Sequence, residues 1–129
     1  MPTIYKITFT FLNYDVMKGV MALLNGASLP GAAVQASSHV YLDITNEAAK
    51  KSRGVRYIAD YEKLDLQDTA AFGDGPNDLP MLRLVGRPIV MGNGLAEVKA
   101  GADRITDDNE HYGVGHGLHK LSLYAGKTK

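Results

Sequence analysis

The chain has 129 residues, of which 45% are hydrophobic, with 14 basic residues balanced by 14 acidic ones. That balance lacks the cationic surplus needed to bind a phosphate backbone and argues against nucleic acid as the main partner. There is no cysteine, which excludes disulfides and thiolate metal sites; with no long apolar run and no signal-peptide pattern in "MPTIYKITFTF", the expected location is the cytoplasm, away from membranes.

In chain order, "TIYKITFTF" (Thr3 to Phe11) alternates Ile4, Ile7, Phe9 and Phe11 with polar residues and reads as a strand. "DVMKGVMALLNG" from Asp15 places Val16, Val20, Leu23 and Leu24 on one face and stops at Asn25-Gly26, as a helix does. Asn13 to Asp15 reads as the strand-to-helix turn, with a helix cap. "AAVQASSHVYLDIT" predicts one long or two short strands, broken near Ser37-Ser38. Residues 1–45 are therefore β-α-β-β, an antiparallel sheet with one helix.

At Asn46 the pattern changes. "NEAAKKSRGVRYIADYEKL" opens on a capping Asn and an acid and carries Val55, Ile58 and Ala59 at helical spacing. After it come "TAAFGD" as strand, "NDLPMLRLVG" as helix, "RPIVMGN" as strand, "LAEVKAGA" as helix, "RITDD" as strand and "GVGHGLHKLSLYAG" as helix. Strands alternating with helices of this length imply parallel βαβ units over residues 46–129.

The densest chemistry lies in "AFGDGPNDLPML", where Asp74, Asn77 and Asp78 fall within five residues. Asp74 follows a parallel strand at its carboxyl end, where open α/β sheets bind ligands. Gly73 and Gly75 permit a sharp turn, and the helix starting near Asn77 aims free N–H groups at the same place. A carboxylate there suits a hard cation such as Mg²⁺. The same acids equally read as helix caps and turn formers. His111, His116 and His119 with Asp107, Asp108 and Glu110 hint at a zinc site, but only His116 and His119 have helical spacing, and surface histidines are the simpler reading. "GVGHG" lacks a full dinucleotide fingerprint and reads as a loop into the last helix.

"GDGPNDLPML" resembles the fourth motif of haloacid dehalogenase-like (HAD) phosphohydrolases, particularly the Cof-type sugar-phosphatase branch. "LDITNEAAKKS" resembles the strand and loop carrying that family's third-motif lysine, and "IVMGNGLAEVKAGADRITDDNEHYGVGHGLHKL" its closing segment. The resemblance covers nearly all of Ile4 to Leu121. It implies an α/β fold: a partial, Rossmann-like parallel core (46–129) joined to a β-α-β-β remnant of the α/β cap (1–45). It also implies a Mg²⁺-dependent phosphatase acting on small phosphorylated metabolites. Carried over, Asp74 is the Mg²⁺ ligand, and Asp78 belongs to the same metal site, supporting the turn and the lysine. Asn77 contacts the phosphoryl group or its metal-bound water, Lys51 binds phosphate with Lys50 as rival, and Asn93 matches a residue near the phosphate pocket or is a simple turn Asn. Ser37, Ser38 and His39 lie where cap residues face substrate, or form a strand bulge.

The family's nucleophilic D-x-D-G-T has no counterpart, because the sequence contains no D-x-D at all; the closest imitation, Asn13-Tyr14-Asp15, lacks the Gly-Thr that should follow. The resemblance is thus to the carboxyl-terminal half of such an enzyme. An exposed sheet edge then predicts a homo-oligomer or a separately encoded first half as partner.

Overall fold

The computed structural model describes residues 4–125. Strand β1 (Lys6–Thr10) leads into helix α1 (Tyr14–Gly26), then β2 (Ala32–Ala36) and β3 (Tyr41–Asn46). The three strands form an antiparallel sheet in the order β1-β3-β2. The Asn13 side chain accepts hydrogen bonds from the backbone N–H groups of Asp15 and Val16, satisfying two donors that the first turn of α1 leaves open.

Alternation splits this sheet into two unlike faces. Leu42 and Ile44 of β3, with Val34 and Ala36 of β2, pack on α1. The helix presents Met17, Val20, Met21 and Leu24, a seam at i, i+3, i+4 and i+7. Expected core positions Val16 and Leu23 instead stand 57% and 76% exposed. Val20 and Leu24 lie in the seam as expected, while Met17 and Met21, not Val16 and Leu23, complete it. The other face of the sheet is polar: the register places Lys6 beside Thr45, and both Thr8 and Gln35 beside Asp43.

After β3 a 3-10 turn (Glu47–Ala49), capped by the Asn46 side chain, precedes α2 (Lys51–Glu62). The single helix expected from Asn46 is therefore two pieces broken at Lys50, whose backbone is extended. Of the residues expected inward, Ala59 is buried and Val55 packs on the core, but Ile58 is exposed. The chain leaves α2 through Lys63 in the left-handed region, with the Leu64 N–H donating to the Ala59 carbonyl.

Strands β4 (Ala70–Gly73) and β5 (Arg87–Val90) pair in parallel, with Gly73 opposite Val90. Between them, the expected ten-residue helix shrinks to a 3-10 turn (Pro76–Asp78) and α3 (Leu79–Leu82). It stops because the Gly86 N–H is drawn to the Leu66 carbonyl, a crossing where a Cβ on Gly86 would lie 2.0 Å from the Gln67 carbonyl oxygen. Helix α4 (Ala96–Lys99) is a single turn. The expected strand "RITDD" reduces to one parallel bridge, Ile105 to Val90; past it, Asp107 and Asp108 turn away to bond the histidines of the next segment. Helix α5 (Gly113–Ala125) follows. Ala71, Leu82, Val85, Val90 and Val98 form the core around this second sheet. Among the described residues no helix is long and apolar enough to cross a membrane.

Candidate functional site

Because β4 and β5 run parallel and in register, their carboxyl ends lie side by side, and the loops leaving them meet. The Met91 N–H donates to the Gly73 carbonyl and the Leu95 N–H to the Asp74 carbonyl, tying the two loops together. Asp74 stands exposed at the end of β4. Asn93, from the loop after β5, donates from Nδ2 to Asp74 Oδ2 at 3.2 Å. Asn93 Oδ1 in turn accepts the Asn109 backbone N–H at 3.1 Å. Asn93 thereby orients the Asp74 carboxylate and is itself held from the far loop.

Asp78 is only 2% exposed. Its Oδ2 accepts the N–H groups of Asp74 (2.9 Å) and Gly75 (3.1 Å), and its Oδ1 accepts Lys51 Nζ. The Asp74 and Gly75 N–H groups are thus taken by Asp78, and at the start of the following helix the Asp78 N–H donates to the Gly75 carbonyl. Burial pushes the Asp78 carboxyl upward, but the Lys51 ammonium and the two backbone donors outweigh it, and the group ends below the usual carboxylate range. With three donors on it, Asp78 has the geometry of an anchor rather than of a metal ligand.

The glycines serve a different purpose from the one expected. Gly73 and Gly75 do not take positive φ. A Cβ on Gly73 would fall 2.5 Å from the Asp78 Cβ, so glycine is there to let the Asp78 side chain fold back beneath the turn. A Cβ on Gly75 would come 2.8 Å from Asn77 Oδ1 and 3.3 Å from the Ser37 carbonyl, which places the β2–β3 hairpin directly against the turn.

Lys51, the first residue of α2, and not Lys50, reaches the acidic turn; Lys50 Nζ lies 3.5 Å from Glu47 Oε1 instead. One cleft is lined by Lys51, Asp74, Asp78, Asn93 and Asn109. Asn77 faces a neighbouring cavity, which it shares with Lys51. All five expected site residues therefore gather around the end of β4, drawn from three separate stretches of chain. Asn109 is an addition to that set; its signal, an Asn following the paired acids of "TDDN", is masked in the sequence by the neighbouring histidines. Those histidines bond carboxylates: His111 Nδ1 lies 2.6 Å from Asp108 Oδ1, and His116 Nδ1 lies 2.7 Å from Asp107 Oδ2. Ser38 Oγ accepts the N–H groups of Val40 and Tyr41 and shapes the hairpin, while the His39 ring stacks on Tyr14 with centroids 4.5 Å apart.

Known proteins resemble this chain in sequence and in fold. The family model for haloacid dehalogenase-like hydrolases matches residues 2–118. A Streptococcus pyogenes protein named "Putative phosphatase M6_Spy0533" is 30% identical over 136 residues, covering 95% of this chain and 50% of its own length. Phosphatase YwpJ of Bacillus subtilis is 32% identical over 88 residues, 68% of this chain and 30% of its own length. A haloacid dehalogenase-like hydrolase from B. subtilis superposes with a TM-score of 0.79 at 25% identity, over 91% of this chain and 40% of that one. The HAD subclass IIB sugar phosphatase BT4131 gives 0.74 at 25% identity, over 95% and 45% respectively. The chain thus spans half the length of the streptococcal relative and less than half of both solved structures. With the family's pattern matched from residue 2 to residue 118, the chain belongs to the haloacid dehalogenase-like hydrolases.

Proposed function

We propose that the cleft at the end of β4 is the phosphoryl- and Mg²⁺-binding part of a phosphatase site for small phosphorylated metabolites. One observation carries this reading. A lysine and an exposed carboxylate converge on one strand end, with a buried aspartate, Asp78, fixing both the turn and the lysine. Phosphoryl transfer depends chiefly on charge neutralisation and positioning, which a cation and a lysine provide.

Among the described residues no three His, Asp or Glu side chains come together as a ligand set. Asp74, oriented by Asn93, is then the carboxylate that would hold the cation. This suits Mg²⁺, which binds through one or two carboxylates and keeps water and phosphate oxygens in its remaining positions. Mg²⁺, when bound, neutralises charge on the phosphoryl oxygens. Lys51 would supply a second positive charge to the same oxygens, and Asn77, which shares a cavity with Lys51, would contact the phosphoryl group or its metal-bound water.

The sequence contains no D-x-D, so the nucleophilic carboxylate of this chemistry comes from polypeptide outside it. We infer a division into a cap remnant at 1–45 and a core half at 46–129. The partner is a chain carrying the missing half or a second copy of this one. The support is structural: among the described residues β4 pairs with β5 only, leaving its other edge open, and Tyr57, Ile58 and Tyr61 are exposed on α2. Cytoplasmic residence and independence from nucleic acid and membranes belong to the same reading.

The test is calorimetric titration of the purified chain with Mg²⁺ and inorganic phosphate, beside aryl phosphate hydrolysis and an Asp74→Asn control. The expected result is metal binding that the control weakens about tenfold or more. Unchanged Mg²⁺ affinity in the control would overturn the metal assignment. A second reading, a fragment that binds or assembles without catalysis, is favoured by the absent D-x-D; metal binding without turnover would establish it for the isolated chain.

A further inference from the structure

Asn93 holds the Asp74 carboxylate, and the way Asn93 is itself held extends the site by another residue. An amide side chain can present either its oxygen or its N–H₂ group in a given direction, and only the N–H₂ can donate to a carboxylate. Asn93 Nδ2 faces Asp74 Oδ2 at 3.2 Å, while on its other side Asn93 Oδ1 accepts the Asn109 backbone N–H at 3.1 Å. Turned over, the amide would set its oxygen against a carboxylate oxygen and its N–H₂ against an N–H. The Asn109 N–H therefore helps decide which way Asn93 points.

That N–H is displayed by Asp108. Asp108 Oδ1 accepts the backbone N–H groups of Glu110 at 3.0 Å and His111 at 2.9 Å, passing over Asn109, as a capping side chain does in a first turn. The Asp108 carbonyl accepts the Gly113 N–H at 2.9 Å, and the turn closes through Tyr112 in the left-handed region, at φ 55°. His111 Nδ1 lies 2.6 Å from the same Oδ1. This bond, ahead of the backbone donors, holds the Asp108 carboxyl below the usual carboxylate range, so it is an ionised acceptor at neutral pH.

The turn is also pressed onto the loop that carries Asn93. The Gly92 N–H donates to the Asp107 carbonyl at 3.1 Å, and a Cβ on Gly92 would lie 2.8 Å from the Asp108 backbone nitrogen. A Cβ on Gly113 would lie 1.9 Å from the Asp107 carbonyl oxygen, so the far end of the turn closes on the same residue. Exposed hydrogen bonds between free side chains exchange readily with water and contribute little. Here one partner is a backbone N–H fixed within 107–113, and the other grows from a loop in backbone contact with that segment. Asp108 itself does not line the Asp74 cleft.

We propose that Asp108 is a positioning residue for the Asp74 carboxylate: by capping the 109–113 turn it aims the Asn109 N–H at Asn93 and so fixes the amide orientation that donates to Asp74. A carboxylate already held in one orientation meets a cation without first having to be ordered. Removing the hydrogen-bond partners of a ligating carboxylate typically changes metal affinity about 10–100-fold. The step from Asp74 to Mg²⁺ rests on the reading of the cleft given above; the orientation of Asn93 does not.

The test follows the Asn93 side-chain N–H₂ signals and the hydrogen exchange of the Asn109 amide, both by ¹⁵N–¹H spectroscopy of the metal-free chain, with Mg²⁺ affinity from calorimetric titration. Asp108→Ala is expected to shift the Asn93 signals, speed Asn109 exchange about tenfold and weaken Mg²⁺ about tenfold. Asp108→Asn keeps Oδ1 as an acceptor and is expected to restore most of each. Asn13→Ala removes the α1 cap, outside the cleft, and is expected to lower stability while leaving the Asn93 signals in place. Should Asp108→Ala fail to fold, Asn109→Pro against Asn109→Ala isolates the backbone N–H, and only the proline variant is expected to shift Asn93. Asn93 signals unmoved by Asp108→Ala, or moved equally by Asn109→Pro and Asn109→Ala, would overturn the proposal. So would full Mg²⁺ affinity in Asp108→Ala where Asp74→Asn weakens it. If Asp74→Asn leaves Mg²⁺ affinity unchanged while Asp108→Ala still moves Asn93, the metal reading of the cleft fails and the positioning of Asp74 by Asp108 stands.

Discussion

Asp78→Asn tests the central claim about the site, namely that a buried carboxylate builds it. The replacement keeps the volume beneath Gly73 and one carbonyl oxygen that can still accept the Asp74 and Gly75 N–H groups. It removes the charge and turns an amide N–H₂ toward Lys51. Hydrogen bonds to a charged group contribute about 1.5–3 kcal/mol. The Lys51 side chain is 52% exposed, so solvent screens its share and the lower part of that range applies. The expected loss is about 1–2 kcal/mol at pH 7, or roughly 3–10 °C in Tm for a domain of this size.

The pH dependence gives the sharper check. The Asp78 carboxyl is held below its ordinary value of 3.8 in the folded state. The unfolded chain therefore binds its proton first as pH falls, and the stabilisation is complete above that value and lost as pH drops through the folded one. Urea midpoints of wild type and variant, measured from pH 7 to pH 3, should differ most at neutral pH and converge in acid. Asp43, also held low, contributes equally to both proteins and cancels. Equal midpoints at pH 7, or a gap that persists undiminished at pH 3, would refute the account of Asp78 as an ionised anchor.

Gly73→Ala puts a methyl group 2.5 Å from the Asp78 Cβ and is expected to cost about 1–3 kcal/mol in urea denaturation, with a matching loss of Mg²⁺ affinity. Lys51→Ala should weaken inorganic phosphate about tenfold in calorimetric titration while Lys50→Ala changes it little; the reverse order would return the role to Lys50. Asn13→Ala removes the acceptor for two first-turn N–H groups of α1 and should lower stability by about 0.5–2 kcal/mol without touching phosphate binding.

Local signals in the sequence reach far into this fold. The run "GDGPND" is legible as a site because acids, amide and glycines after an apolar strand leave few other uses for so much charge. Where local pattern and structure part, a distant contact is responsible. In the α1 seam Val20 and Leu24 stand where the pattern puts them, but contact with the sheet selects Met17 and Met21 over Val16 and Leu23 to complete it. The helix after Pro76 is cut short by a crossing with the Leu66–Gln67 backbone, which no pattern within the helix announces. Asp43 alternates with Leu42 and Ile44 and so is readable as lying on the polar face of a strand. Its partner Lys6 lies 37 positions earlier and meets it only through strand pairing.

By itself the sequence determined the family, the alternation of strands and helices, and the residues rich enough in chemistry to form a site, because each of these is written in side-chain type and short-range spacing. Only the tertiary structure decided which lysine turns inward, that Asp78 anchors while Asp74 stays open, and that Asn93 orients Asp74. Those outcomes depend on where the ends of β4, β5 and the start of α2 meet in space, and hydrogen bonds between stretches 19 and 27 residues apart leave no periodic trace along the chain.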